Sequence, residues 1–133
     1  MAAERADTVG LSGTGGTKPD GLTHEATGFP PDVVDARIAL VRAASAPRDI
    51  ELHALVQQVV VTDDPIRTAE RLREHAPELS INDILATPYL WIGTSESICD
   101  HVLAARERWG FSYFTLFGHS LEATPVVIEL AGT

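Results

Sequence analysis

The sequence predicts an α/β fold built on parallel strands, and three observations predict it. Strand-type and helix-type segments alternate along the chain, which implies parallel strands joined by right-handed crossovers. The run Val59-Val60-Val61 is continuously apolar and β-branched, as expected of a strand covered on both faces. Proline and capping residues stand where helices would have to start and stop.

The first β-type run is Thr8-Val9-Gly10-Leu11, after an Ala-rich opening that reads as the tail of a helix. Residues 12–31 are rich in glycine and proline and read as one long exposed loop. Loops of this length are uncommon unless functional or disordered. Pro31-Asp32 opens a helix with Val33, Val34, Ala36, Ile38, Leu40 and Val41 as a broad apolar stripe, and Ala46-Pro47 stops it. Ile50 to Val61 then reads as one long strand.

Thr62-Asp63-Asp64-Pro65 combines a capping side chain, acids and a proline at a helix start. That helix is expected to reach about His75 and to bury Ile66, Ala69 and Leu72. Ser80 caps a short helix carrying Ile81, Ile84 and Leu85, and Tyr89 to Thr94 is a short extended segment. Thr94 or Ser95 caps the next helix, with Ile98, Val102, Leu103 and Ala105 on its buried face. Trp109-Gly110 closes it with glycine at the left-handed end position. Phe111 to Phe117 is a strand by its aromatic and β-branched content. Gly118-His119-Ser120 is a turn, and Thr124-Pro125 starts a last helix reaching Leu130.

Three strands of this kind do not close a sheet. A (β/α)8 barrel takes roughly 250 residues, and this chain has 133. Two readings follow from the residues: the C-terminal part of a barrel with unpaired strand edges, or a small complete α/β domain.

Composition narrows the function. Ten Lys and Arg against 19 Asp and Glu give a net charge of −9, which argues against nucleic acid and against anionic lipid as partners. No apolar run reaches the ~18–20 residues that span a bilayer, and no signal peptide is visible at the start. The single cysteine, Cys99, cannot form an internal disulfide, so a cytoplasmic setting is the simplest expectation.

Few residues announce chemistry. Ser12-Gly13-Thr14-Gly15-Gly16 follows a strand and could cradle a phosphate through backbone N–H groups. It lacks the Gly-Lys-Ser/Thr ending of a P-loop, and the other reading is a mobile loop. His24, His53, His75, His101 and His119 share no metal-ligand spacing. His53 is expected to be packed or paired in its strand, His75 and His101 to be solvated on helices, and His119 could face a pocket. Gln57 and Gln58 interrupt an apolar strand, and a hydrogen-bonded structural amide is the favoured reading over the wall of a chamber. Asp63-Asp64 reads as helix capping rather than a metal pair. Trp91 and Trp109 read as packing residues, Cys99 as unreactive, and Arg106-Glu107-Arg108 as a solvated helix end.

The chain also resembles a family. Leu55 to Asp64 resembles a late barrel strand of the bacterial luciferase-like monooxygenases. Ala86 to Ile98, Ala105 to Phe114, Ala123 to Gly132 and Ala2 to Leu11 resemble further stretches of the same family, in the same order. The subgroup it is most similar to is the deazaflavin-dependent oxidoreductases. The resemblance implies the C-terminal half of a TIM barrel, flavin mononucleotide (FMN) or a deazaflavin as cofactor, and a small-molecule substrate. It implies hydride transfer or reaction of reduced flavin with oxygen, with the cofactor supplying the electronic chemistry. Ser12, Gly13 and Thr14 are the cofactor-contact candidates. The family's N-terminal half and its glycine-rich phosphate turn have no counterpart in this sequence. Little cofactor binding by this polypeptide alone is therefore expected. The alternative function is a non-catalytic remnant or interaction module that pairs through open strand edges, which would make it a homo-oligomer.

Overall fold

The computed structural model describes residues 8–13 and 26–116. Thr14, His24, His119, the 118–120 turn and the final helix expected at 124–130 lie outside the described residues. The elements are β1 (Thr8–Leu11), α1 (Pro31–Ser45), β2 (Glu51–Val56), β3 (Gln58–Val61) and α2 (Pro65–Arg73), followed by α3 (Ile81–Ala86), β4 (Leu90–Gly93), α4 (Ser95–Trp109) and β5 (Phe111–Leu116). The architecture is α/β, and every strand pairing among the described residues is parallel. The strands form two open sheets: a three-stranded one ordered β1-β2-β5, and a two-stranded one of β3 and β4. No helix among the described residues is long and apolar enough to cross a membrane.

Helix ends follow the local sequence. Asp64 caps α2 by accepting from the Arg67 N–H, and Ser80 with Asp83 forms a reciprocal capping box on α3. Thr94 caps α4 by accepting from the Ser97 N–H, and Gly110 ends it in the left-handed conformation.

The single strand expected over 50–61 is two strands, divided at Gln57. Val56 and Val59 pack into the same apolar cluster with Trp91, Ile98, Cys99 and Val102. Strict alternation would place residues three apart on opposite faces, so the chain shifts parity at Gln57. The Gln57 N–H donates to the Tyr89 carbonyl at 2.7 Å, and its side-chain Nε2 donates to the Ser12 carbonyl at 3.2 Å. The amide is thus a structural one. Thr62 N–H donates to the Gly93 carbonyl and continues the pairing beyond β3.

The core sits on one side of the larger sheet. Val34, Ile38 and Val41 of α1, at i, i+4 and i+7, meet Leu52 and Ala54 of β2, Trp109 of α4 and Phe111 of β5. The buried stripes are narrower than the sequence periodicity implies. Leu40, Ile66 and Leu103 are exposed, because no described element covers the outer side of α1, α2 or α4 at those positions.

Helices α1 and α4 are tied by a polar clamp. Arg108 donates to both carboxylate oxygens of Asp35, at 3.1 and 2.8 Å, and the buried Trp109 Nε1–H donates to Asp35 at 2.7 Å. Arg108 is therefore a cross-helix partner rather than a merely solvated end. Its guanidinium, with the indole N–H, holds the Asp35 carboxyl below its ordinary pKa. The ion pair is half exposed and contributes under ~1 kcal/mol. Leaving the buried indole N–H unpaired costs about 1–3 kcal/mol. Asp35→Ala is accordingly expected to lose about 2 kcal/mol in urea unfolding, and Arg108→Ala less than half of that. Equal losses would show that the indole bond contributes nothing.

Candidate functional site

An all-parallel sheet is normally covered on both faces; among the described residues, helices cover one. Along β2, Leu52, Ala54 and Val56 are fully buried, while the alternate residues Glu51, His53 and Leu55 are not. The strand register places Gly10 of β1, His53 of β2 and Tyr113 of β5 in one row across this second face. The His53 and Tyr113 rings lie nearly parallel, 9° apart, with centroids at 4.6 Å. Gly10 makes room for that arrangement: a Cβ there would lie 3.0 Å from His53 Nδ1. Tyr113 is 41% exposed, whereas His53 Nε2 is enclosed and has no hydrogen-bond partner among the described residues.

Two register positions below the row, Thr8 Oγ1 donates to Glu51 at 3.5 Å. The three strands contribute this one carboxylate and no Lys or Arg. The three strands therefore offer an exposed aromatic ring, Tyr113, but no cation for a phosphate.

Beyond the end of β1, Ser12 and Gly13 come together with other partners. The Ser12 carbonyl takes the Gln57 amide, and the Gly13 carbonyl accepts from the Gly28 N–H at 2.9 Å. Gly13 adopts φ +71°, and the rings of Tyr89 and Phe29 occupy the space beside its Cα. Those rings are themselves in contact at 5.4 Å. These contacts use carbonyls and hold the base of the loop; a phosphate cradle is built from N–H donors, on which they do not bear. Burial pushes the Tyr89 phenol up to about 12, against a smaller downward pull from Arg37.

His101 departs from expectation. It is not solvated: its Nε2 lies 2.9 Å from the Thr87 carbonyl, at the C-cap of α3. Since a carbonyl only accepts, the ring nitrogen donates. Burial pushes its pKa below the ordinary 6.5, opposed by the bond to Thr87. The fold thus favours the neutral ring. Its stabilisation is complete above pH 6.5 and is lost as pH falls through the lowered folded value. Unfolding midpoints measured from pH 7.5 to 5 are expected to fall, and His101→Gln is expected to flatten that slope. An unchanged slope in the variant would assign the acid sensitivity to other groups.

His75 is exposed just beyond α2, and Cys99 is buried in the core. Trp91 and Trp109 are packed in the interior, as the sequence suggests. Thr87 Oγ1 and Trp91 Nε1 are the other buried side-chain atoms that lack partners among the described residues. No cluster of His, Cys, Asp or Glu with metal-binding geometry occurs among the described residues. Sequence reasoning missed Tyr113. The signal available was parity: His53 and Tyr113 are the ring-bearing side chains at the non-core positions of their strands. No family model, no curated protein and no solved structure matches this chain.

Proposed function

We propose that this chain forms part of a (β/α)8 barrel of the luciferase-like class, and that its open sheet face lines a chamber for FMN or a deazaflavin. The function is then oxidoreduction of a small molecule, by hydride transfer or by reaction of reduced flavin with oxygen. One observation carries the reading: among the described residues, a parallel sheet has helices on one face and a row of small and aromatic residues on the other. That is how a barrel wall is organised, with helices outside and side chains filling the inside. The stretches that resemble the family support it. Leu55 to Asp64 runs from β2 to the cap of α2, Ala86 to Ile98 from α3 through β4 into α4, and Ala105 to Phe114 from α4 into β5.

The residues fit one half of such a cofactor. A flavin supplies a flat redox-active ring and a phosphate tail. The open face offers the ring the aromatic surface of Tyr113, stacked on His53. Its strands carry no cation for the tail. Binding by this polypeptide is therefore weak, in the millimolar range, and indifferent to the phosphate. The test is visible circular dichroism of FMN and of a deazaflavin mixed with the full chain. An induced band in the ring absorption at millimolar cofactor is expected. No induced band with either cofactor would count against the reading, and micromolar affinity would contradict the claim that no phosphate site lies on this face.

A second reading rests on the edges. Among the described residues, the outer edges of β1 and β5 pair with no strand, and unpaired edges invite another chain. In that reading the chain is an interaction module that self-associates. Light scattering across a concentration series separates the two: a monomer at all concentrations removes the module reading.

A further inference from the structure

We propose that the outer edge of β5 is a self-association site, where a second copy of this chain adds its own β5 antiparallel across a two-fold axis. The proposal rests on the interaction-module reading and gives it a definite edge, partner and symmetry.

Length and composition select β5. Among the described residues, β1, β3, β4 and β5 each have an edge that pairs with no strand. Three of these strands have four residues, and β5 has six. β1 is weakened by Gly10, Asp63 and Asp64 follow closely on β3, and Leu90, Trp91 and Gly93 of β4 are buried. β5 reads Phe-Ser-Tyr-Phe-Thr-Leu, with no charge, no proline and no glycine. Exposed edges are ordinarily guarded by lysine, proline or other charges. An unguarded, uncharged segment of six β-forming residues is the pattern that pairs between chains. Its register with β2 skips Ser112, and from Tyr113 to Leu116 it runs without a break.

Charge and parity select the partner. The chain carries −9, so two copies repel one another in general. An uncharged strand that meets itself brings no like charges into opposition. Antiparallel pairing of one strand with its own copy is self-complementary, so the joint closes at two chains. Tyr113 and Thr115 are exposed, while Phe114 and Leu116 are half-buried against the Trp91 cluster on the other face. Residues opposed across an antiparallel pair share a face, so the axis passes through a residue and not between two. Centred on Phe114, it sets Tyr113 beside Thr115 of the second copy and brings the two Phe114 rings together. The half-buried Phe114 and Leu116 gain cover, and the sheet lengthens to six strands with its open face still open. One edge strand buries far less than the ~800 Å² per partner of a stable interface, so the dimer is weak and reversible.

The experiment is sedimentation velocity of the full chain from about 10 µM to about 1 mM. A reversible monomer–dimer equilibrium is expected. Thr115→Lys, which guards the β5 edge, is expected to weaken the dimer at least ~tenfold. Thr8→Lys, the same charge change on the β1 edge, is expected to leave it within about twofold. Amide spectra of each variant establish that the fold is intact. A monomer at every concentration overturns the proposal together with the interaction-module reading. A dimer that a folded Thr8→Lys variant disrupts and a folded Thr115→Lys variant does not leaves that reading standing and overturns the β5 joint. Species that grow beyond two chains with concentration overturn the closed two-fold in the same way.

Discussion

Phe111→Ala is expected to destabilise the chain by about 3–5 kcal/mol, the cost of removing a buried phenyl ring and leaving a cavity. Phe111 is the first residue of β5 and 2% exposed. Its ring meets Trp109 at the end of α4 and Phe114 further along β5, with centroids at 6.2 and 5.7 Å. Its backbone partner is Leu52, which is fully buried. The one side chain therefore joins the end of a helix, the start of an edge strand and the centre of the sheet. A domain of ordinary stability has ~5–15 kcal/mol in hand, so this loss removes a large part of it. Urea unfolding followed by tryptophan fluorescence measures it, with Phe111→Leu, expected to cost roughly 1 kcal/mol, as the volume-conserving control. A loss below ~1 kcal/mol for the alanine variant would mean that β5 is not seated on this core.

Gly13→Ala is the second large effect, at about 3 kcal/mol, from two sources that add. The residue sits at φ +71°, where a Cβ costs roughly 1–2 kcal/mol. The new carbon would also stand 2.5 Å from the Tyr89 ring and 2.7 Å from Phe29. Both rings are buried, at 1% and 7% exposure, and neither is the loose end of a flexible chain. Overpacking of this sort costs ~1–3 kcal/mol. The bond from Gly28 N–H to the Gly13 carbonyl is the first contact to suffer. Hydrogen exchange at the Gly28 amide is expected to accelerate well beyond the global change in stability. An alanine variant with parental stability and parental exchange would show that the loop base is not held by this packing. The consequence for function is specific: Gly13 acts in closing the base of a loop, whatever residues beyond it contact.

What the sequence discloses is local, and what it hides is not. Caps at Asp64, Ser80, Thr94 and Gly110 are legible because a cap is a bond within three or four residues. The break at Gln57 is invisible in the sequence, since its partners are the Tyr89 and Ser12 carbonyls, brought in by other elements. Leu40, Ile66 and Leu103 fit a helical stripe by spacing, but burial depends on which neighbour arrives. His101 finds the Thr87 carbonyl at the end of α3, and Arg108 finds Asp35 across 73 positions. Of the candidate site, Ser12 and Gly13 stand out as residues, but their carbonyl contacts to Gln57 and Gly28 do not. The His53–Tyr113 stack requires the strand order β1-β2-β5, and alternation within one strand does not give that order.

The central claim is that the larger sheet has one face covered by the described helices and one face that no described element covers. The chain holds two tyrosines, and they report on the two environments. Tyr89 is 1% exposed in the core, and Tyr113 is 41% exposed on the open face. Hydroxyl-radical footprinting of the native chain, read by mass spectrometry, compares them in one sample. The account predicts that Tyr113 is modified at least several-fold faster than Tyr89. Equal protection of the two rings would contradict it, because the face would then be covered.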